Sequence, residues 1–171
     1  SFIVDPHKWL FAPFDCCALL YRSPEHARHA HRQHGDYLEV LYDGIWNPSD
    51  YAHHLSRRAR GLPFWFSLAT HGTDAYAEAV EKTLSLTQQA ADLIDASEHL
   101  ELILPPHLSV VIFKRRGWDT AAYTQWSRQL LERGDGFVMP TKYQGETVLR
   151  LCIVNPTTSS DDLAFIVASL I

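Results

Sequence analysis

The fold is decided by the segment SFIVDPHKWLFAPFDCCALLYR, residues 1–22. It contains two short apolar runs, residues 1–5 and residues 16–22, separated by a break that carries His7 and Lys8. Short apolar runs bounded by proline or charged residues are typical of strands rather than helices. The second run is apolar on both of its alternating faces, which predicts a strand inside a sheet. We therefore expect two buried strands and a lysine in the break between them.

Lys8 is one of only four lysines in a chain that has eleven arginines. A surface lysine commonly lays its stem along apolar residues and keeps its amine in water. A lysine desolvated between apolar runs loses its proton more easily and becomes a nucleophile toward carbonyl groups. The apolar runs on both sides of Lys8 favour the second interpretation, so we expect a buried, reactive amine.

The composition is that of a folded chain of one domain or slightly more. Its 171 residues are 46% hydrophobic, which excludes a disordered protein, and no apolar stretch reaches membrane-spanning length. The net charge of −5 disfavours nucleic-acid binding. The chain has three cysteines, Cys16, Cys17 and Cys152, and two of them are adjacent. Such a set is not a disulfide framework, which indicates a reducing, cytoplasmic compartment. Because the chain starts at Ser1 inside an apolar run, we expect it to be part of a longer protein.

Residues 23–49 show no apolar periodicity. An irregular stretch of this length inside a compact protein is usually functional or mobile. Its closely spaced histidines could indicate a metal site, but zinc ligands usually come in spaced pairs that include cysteine, and no cysteine completes the group. We therefore expect a solvated loop face without a metal at His26, His29, His31 and His34.

The remainder of the chain predicts a long helix followed by a small mixed unit. Small and apolar residues recur on one helical face of residues 73–96, with Thr73 as the expected N-cap. Two strands, a helix, a hairpin around Gly145 and a last helix then follow, which predicts an α+β unit with an antiparallel sheet. Ser159 and Asp162 form a capping-box pattern before that last helix.

Three stretches of the sequence resemble one family. DPHKWLFAPFDCCALLYR, residues 5–22, resembles the cofactor-lysine segment of the group II pyridoxal-dependent amino-acid decarboxylases. RRARGLPFWFSLATHG, residues 57–72, resembles the arginine-rich segment of that family, and VLRLCIVNPTT, residues 148–158, resembles its C-terminal strand. The resemblance therefore extends over nearly the whole chain.

The resemblance implies an α/β fold of fold type I, as in pyridoxal-phosphate-dependent transferases. Residues 1–72 would complete the large cofactor-binding domain, residues 73–97 would form a connecting helix, and residues 98–171 would form a small C-terminal α+β domain. The implied cofactor is pyridoxal 5'-phosphate, and the implied assembly is a homodimer with its active site at the subunit interface. The family's other cofactor contacts lie upstream of the matched segments, so this chain alone is expected to be inactive.

The resemblance assigns three neighbouring residues to the cofactor. Lys8 matches the lysine that holds the cofactor covalently, and His7 matches a histidine near the cofactor phosphate. Asp5 occupies the position where many members have an asparagine that touches the cofactor. An anionic side chain departs from that pattern, so any phosphate contact by Asp5 would use its backbone or a bridging water.

Tyr37 matches a loop tyrosine that protonates the substrate carbon after carbon dioxide leaves, as the resemblance implies. On the sequence alone, Tyr37 is more simply interpreted as an ordinary loop aromatic, and Tyr42 is the alternative if the loop is aligned differently. Family members with phenylalanine at this position tend toward aldehyde-forming chemistry. Tyrosine here therefore favours decarboxylation.

Arg150 lies among apolar residues in a predicted strand and therefore needs a partner. The resemblance implies that it binds a substrate carboxylate, as in the glutamate-decarboxylating members, and a structural ion pair is the alternative. The arginines near residue 60 are equally compatible with anion binding and with inter-subunit ion pairs, and we assign no role to Arg57, Arg58 and Arg60.

The resemblance thus predicts removal of the α-carboxylate of an L-amino acid, with an aromatic or small diamino acid slightly favoured over glutamate. One alternative is an aldehyde synthase or another lyase on the same scaffold. The other is a catalytically silent module for dimerisation or folding.

Overall fold

The structure is a computed structural model and describes residues 1–33, 35 and 45–171. The chain divides into two compact units, Ser1–Gly72 and Thr73–Ile171. The first unit contains strand β1 (Phe2–Val4), helix α1 (Pro6–Trp9), strand β2 (Ala18–Leu20), helix α2 (Pro24–His31), a 3₁₀ helix (Pro48–Tyr51) and the start of helix α3 (Gly61–Asp95). The second contains the rest of α3, β3 (Leu100–Leu102), β4 (Val110–Arg115), α4 (Thr120–Glu132), β5 (Pro140–Tyr143), β6 (Glu146–Cys152) and α5 (Ser160–Ala168). Within the described ranges, no helix is long and apolar enough to cross a membrane.

Strands β1 and β2 form a two-stranded antiparallel ribbon in which Ile3 lies opposite Leu19. The two predicted strands are confirmed, but the prediction that they are buried is wrong for this chain. Phe2 is 66% exposed, and Leu20 is also exposed. The physical reason is that a two-stranded ribbon encloses no side chains, and no third strand pairs with it among the described residues.

The histidine-rich residues after β2 form helix α2, so the prediction of an irregular stretch over residues 23–49 is wrong at this point. Pro24 occupies the first turn, where its missing N–H costs nothing. Glu25 in the first turn and Arg28 in the last turn both suit the helix dipole. Ala27 is the buried residue of this helix, so α2 has no apolar stripe from which periodicity could reveal it.

Helix α3 is interrupted at Gly72, which has a φ of 78° and a ψ of 160°. Glycine adopts a positive φ without steric cost, so it suits this break in the helical backbone. The helix predicted over residues 73–96 is confirmed and ends at Asp95. Its buried face consists of Tyr76, Thr83, Leu86, Thr87, Ala90, Ala91 and Ile94.

The second unit contains a four-stranded antiparallel sheet in the order β3-β4-β6-β5, which confirms the predicted α+β unit. Successive side chains of a strand point to opposite faces of the sheet, and those on one face of this sheet are apolar. Phe113 of β4 and Leu149 of β6 lie opposite each other on this face, and both are fully buried. Helices α4 and α5 contribute Leu130 and Leu163 to the same core.

The hairpin turn and the capping box that the sequence predicts for the second unit are both present. Gln144 and Gly145 have φ angles of 49° and 88° and join β5 to β6 in a two-residue hairpin turn. Ser159 and Asp162 form the predicted capping box. The backbone N–H of Ser159 donates to Asp162 Oδ2 at 2.8 Å, and the N–H of Asp162 donates to Ser159 Oγ at 3.2 Å.

Candidate functional site

Helix α1 is a single turn that places Asp5, His7 and Lys8 close together in the first unit. Asp5 is its extended N-cap residue, and Pro6 opens the turn. The backbone N–H of Lys8 donates to the carbonyl of Asp5 at 2.9 Å. A turn of this geometry brings residues i and i+3 onto the same face, so the side chains of Asp5 and Lys8 are neighbours.

Lys8 forms an ion pair with Asp5, with 2.5 Å between Nζ and Oδ2. The Lys8 side chain is 70% exposed, so the prediction of a buried lysine is wrong for this chain. The hydrogen bond and the charge of Asp5 raise the pKa of Lys8, which opposes the predicted loss of its proton. The physical reason is that the amine lies beside the carboxylate of Asp5, three residues earlier in the chain, rather than among apolar side chains.

His7 is oriented by the backbone of Cys16. His7 Nδ1 lies 2.6 Å from the carbonyl oxygen of Cys16 and 3.2 Å from its backbone nitrogen. The shorter contact favours the tautomer in which Nδ1 donates to that carbonyl. Phe14 packs edge-on against the same ring, with centroids 5.1 Å apart. His7 is therefore held in one orientation.

Cys17 is a member of this cluster that the sequence did not reveal. Its thiol hydrogen-bonds to the carboxylate of Asp5. Desolvation, followed by this hydrogen bond, raises the pKa of Cys17, so the thiol keeps its proton and donates. The signal that could have identified Cys17 is the strand register, because Val4 lies opposite Ala18 and this places Asp5 opposite Cys17.

Asp5 therefore has two side-chain partners within the chain. The hydrogen bond from Lys8 and then the hydrogen bond from Cys17 lower the pKa of Asp5. Its carboxylate is ionised and occupied by these donors. The role of Asp5 at the cofactor stays a prediction.

Arg60 has a structural role in the first unit. Its Nε donates to Asp15 Oδ2 at 2.9 Å, and Arg60 lowers the pKa of Asp15. Arg60 therefore forms an ion pair within its own chain, whereas anion binding and inter-subunit ion pairs by this segment stay predictions.

Arg150 lies on β6 opposite Ile112, on the sheet face away from the core residues Leu149 and Leu151. It is exposed. Among residues 1–33, 35 and 45–171, no carboxylate lies within ion-pair distance of its guanidinium. The ion-pair alternative is therefore not supported in this part of the chain, and the guanidinium is available for an external anion.

The remaining predicted site residues are Tyr37 and Tyr42, which lie outside the described residues. Their role stays a prediction. His34 also lies outside them, and no group of three or more His, Cys, Asp or Glu side chains in the described part of the chain is placed to hold a metal ion.

Residues 1–116 match the family model described as "Pyridoxal-dependent decarboxylase conserved domain". The chain is 27% identical over 173 residues to an aromatic-L-amino-acid decarboxylase of Bacillus atrophaeus, covering 95% of this chain and 36% of that protein. It is 31% identical over 166 residues to a 3,4-dihydroxyphenylacetaldehyde synthase of Aedes aegypti, covering 93% of this chain and 31% of that protein.

A solved structure has a fold similar to that of this chain. The chain superposes on the crystal structure of Oryza sativa TDC with PLP and tryptamine with a TM-score of 0.83 and 20% identity. The match covers 98% of this chain and 38% of that one. The chain thus spans about a third of the length of the relatives that it matches.

Proposed function

This chain belongs to the pyridoxal-dependent decarboxylase family, and from that premise we propose that it forms the C-terminal part of an enzyme that removes the α-carboxylate of an L-amino acid. Its fold is that of the fold type I decarboxylases that use pyridoxal phosphate. The family match over residues 1–116 is the observation that carries the proposal. Homodimeric assembly, a cytoplasmic location and a preference for an aromatic or small diamino acid are parts of the same proposal.

The residues around α1 fit pyridoxal phosphate. An accessible primary amine at Lys8 suits an aldehyde, and the adjacent imidazole of His7 is held in one orientation. When bound, the cofactor supplies an electron sink for the carbanion left at the substrate α-carbon. Lys8 would hold the cofactor covalently, and His7 would bind its phosphate.

Two further residues would act on the substrate. The guanidinium of Arg150 is planar and suits two parallel hydrogen bonds to a carboxylate. Its exposed position on β6, without an acidic partner among the described residues, supports this role. Tyr37 would deliver a proton to the α-carbon after carbon dioxide has left.

Borohydride reduction tests the role of Lys8. In the complete enzyme loaded with pyridoxal phosphate, reduction should leave a pyridoxyl mass on the peptide that contains Lys8, because reduction fixes a cofactor bound through a lysine amine. Peptide mass spectrometry reads the result. A label on Lys82, Lys114 or Lys142 instead would contradict the assignment.

Arg150→Met should weaken substrate binding more than cofactor binding. A hydrogen bond to a charged group contributes about 1.5–3 kcal/mol, so KM should rise by about 10- to 100-fold. The melting temperature should change little because Arg150 is exposed. Steady-state kinetics, cofactor titration and thermal melting measure the three quantities.

The matched control for this variant is Arg128→Met, which removes an exposed arginine of α4 from the same unit. It should leave KM unchanged. If Arg150→Met unfolds the protein, Arg150 has a structural role and its assignment to the substrate is wrong.

An aldehyde synthase is the second candidate function, and the 31% identity to the Aedes aegypti aldehyde synthase favours it. Tyrosine rather than phenylalanine at position 37 favours the decarboxylase. Product analysis separates the two, because a decarboxylase releases amine, whereas an aldehyde synthase releases aldehyde and ammonia and consumes oxygen.

A further inference from the structure

The carboxylate of Asp5 lies between two donors, the ammonium of Lys8 and the thiol of Cys17. The side chain of Asp5 is 30% exposed, so it is more shielded from water than that of Lys8. Neither contact follows from the resemblance, which assigns Asp5 to the cofactor and gives Cys17 no role.

The backbone fixes both contacts. The pairing of β1 with β2 ends at Val4 and Ala18, and the next residues on the two strands are Asp5 and Cys17. On the other side, the turn of α1 begins directly after Asp5 and places Lys8 three residues further on. The hydrogen bonds of the ribbon and of the turn therefore hold Asp5 between its two donors.

Asp5 is the acidic group that acts on Lys8. The other titratable groups of the cluster are His7 on α1 and the thiols of Cys16 and Cys17 on the segment before β2. The nearby carboxylate of Asp15 is engaged by Arg60 at 2.9 Å. Among the described residues, the negative charge that pairs with the amine of Lys8 is thus that of Asp5.

We propose that Asp5 is a positioning residue that holds Lys8 as an ammonium ion. The thiol of Cys17 keeps the carboxylate of Asp5 in place. The ion pair between Asp5 and Lys8 sets the pH at which Lys8 can react with an aldehyde. The inference rests on the proposed function only for the identity of that aldehyde, pyridoxal phosphate. A primary amine attacks a carbonyl only after losing its proton. The ion pair therefore restrains Lys8 at neutral pH and directs its amine toward the strand ends.

Trace acetylation of the complete enzyme, prepared without its cofactor, tests this inference. A small amount of acetic anhydride modifies only neutral amines, and peptide mass spectrometry between pH 7 and 11 gives a separate midpoint for each lysine. In Asp5→Asn the midpoint of Lys8 should fall, because the charge that stabilises the ammonium is gone. At pH 9 its labelling should rise about 1.5- to 5-fold relative to Lys82 and Lys142, the range expected for an exposed pair.

Several controls are available within the chain. Asp15→Asn removes a carboxylate from the same segment and should leave the Lys8 midpoint unchanged. Cys17→Ala should move the midpoint part of the way toward that of Asp5→Asn, whereas Cys17→Ser keeps a donor and should restore it. Lys114, which pairs with Glu101 at 3.3 Å and Glu146 at 3.5 Å, should keep its raised midpoint in every variant and so reports that its unit is folded.

An unchanged Lys8 midpoint in Asp5→Asn would overturn the inference. A parallel reaction with pyridoxal phosphate and cyanoborohydride in the complete enzyme keeps the two proposals separate. If the acetylation midpoint shifts but pyridoxal phosphate labels a lysine other than Lys8, the proposed function fails and the inference stands. If pyridoxal phosphate labels Lys8 and the midpoint does not shift, the inference fails and the proposed function stands.

Discussion

Phe113→Ala should lower the free energy of unfolding of the second unit by about 3–5 kcal/mol. Phe113 is fully buried at the centre of β4, opposite Leu149. Removing the ring takes away its transfer free energy and leaves a cavity between the sheet and the helices that pack on it, which the surrounding side chains refill only in part. Urea unfolding followed by circular dichroism measures the change.

Phe137→Ala is the matched control. It makes the same substitution in the same unit at a side chain that is 70% exposed. The expected change is within about 0.5 kcal/mol, as is usual for surface positions. If the two variants lose the same stability, the core assigned to the inner face of this sheet is wrong.

The second unit could be predicted well because its signals are local. Alternation of apolar and polar residues along β6, the turn at Gly145 and the capping box at Ser159 depend on residues close together in the sequence. Each signal points to the same antiparallel sheet with helices on one face. A fold can be predicted from its sequence when independent local signals agree.

The first unit was less predictable because apolar patterning indicates what a segment can bury, not what covers it. The ribbon of β1 and β2 has the composition of interior strands and yet exposes Phe2 and Leu20. Helix α2 shows the converse case. Its residues are mostly polar, so its helical state depends on end effects at Pro24 and Glu25 rather than on an apolar stripe.

The sequence likewise predicts some features of the candidate site and not others. His7 and Lys8 belong to one contiguous motif, so the resemblance identifies them together. The contact between Asp5 and Cys17 depends on how two strands pair, which the composition of either strand does not specify. The raised pKa of Lys8 likewise depends on the conformation of α1, because only a turn brings an i−3 carboxylate to the amine.

Tyr37→Phe in the complete enzyme should lower the rate of amine formation by about 10²–10⁴-fold, the usual contribution of a general acid. The variant keeps the ring and removes the hydroxyl proposed to deliver a proton to the substrate α-carbon. Substrate binding should persist because the substrate carboxylate is assigned to Arg150. Part of the flux should go to aldehyde and ammonia, with oxygen consumed, because the carbanion at the α-carbon survives long enough to be oxidised. Amine and aldehyde yields per turnover, with oxygen uptake, measure the partition.

Tyr42→Phe is the matched control, because it makes the same change at the second tyrosine of this segment. It should form amine at the wild-type rate and release no aldehyde. The opposite result, a slow Tyr42→Phe and a normal Tyr37→Phe, would transfer the role of proton donor to Tyr42. If both variants form amine normally, the proton reaches the α-carbon from another residue. The preference for decarboxylation over aldehyde formation then loses its support, because that preference depends on the phenol at position 37.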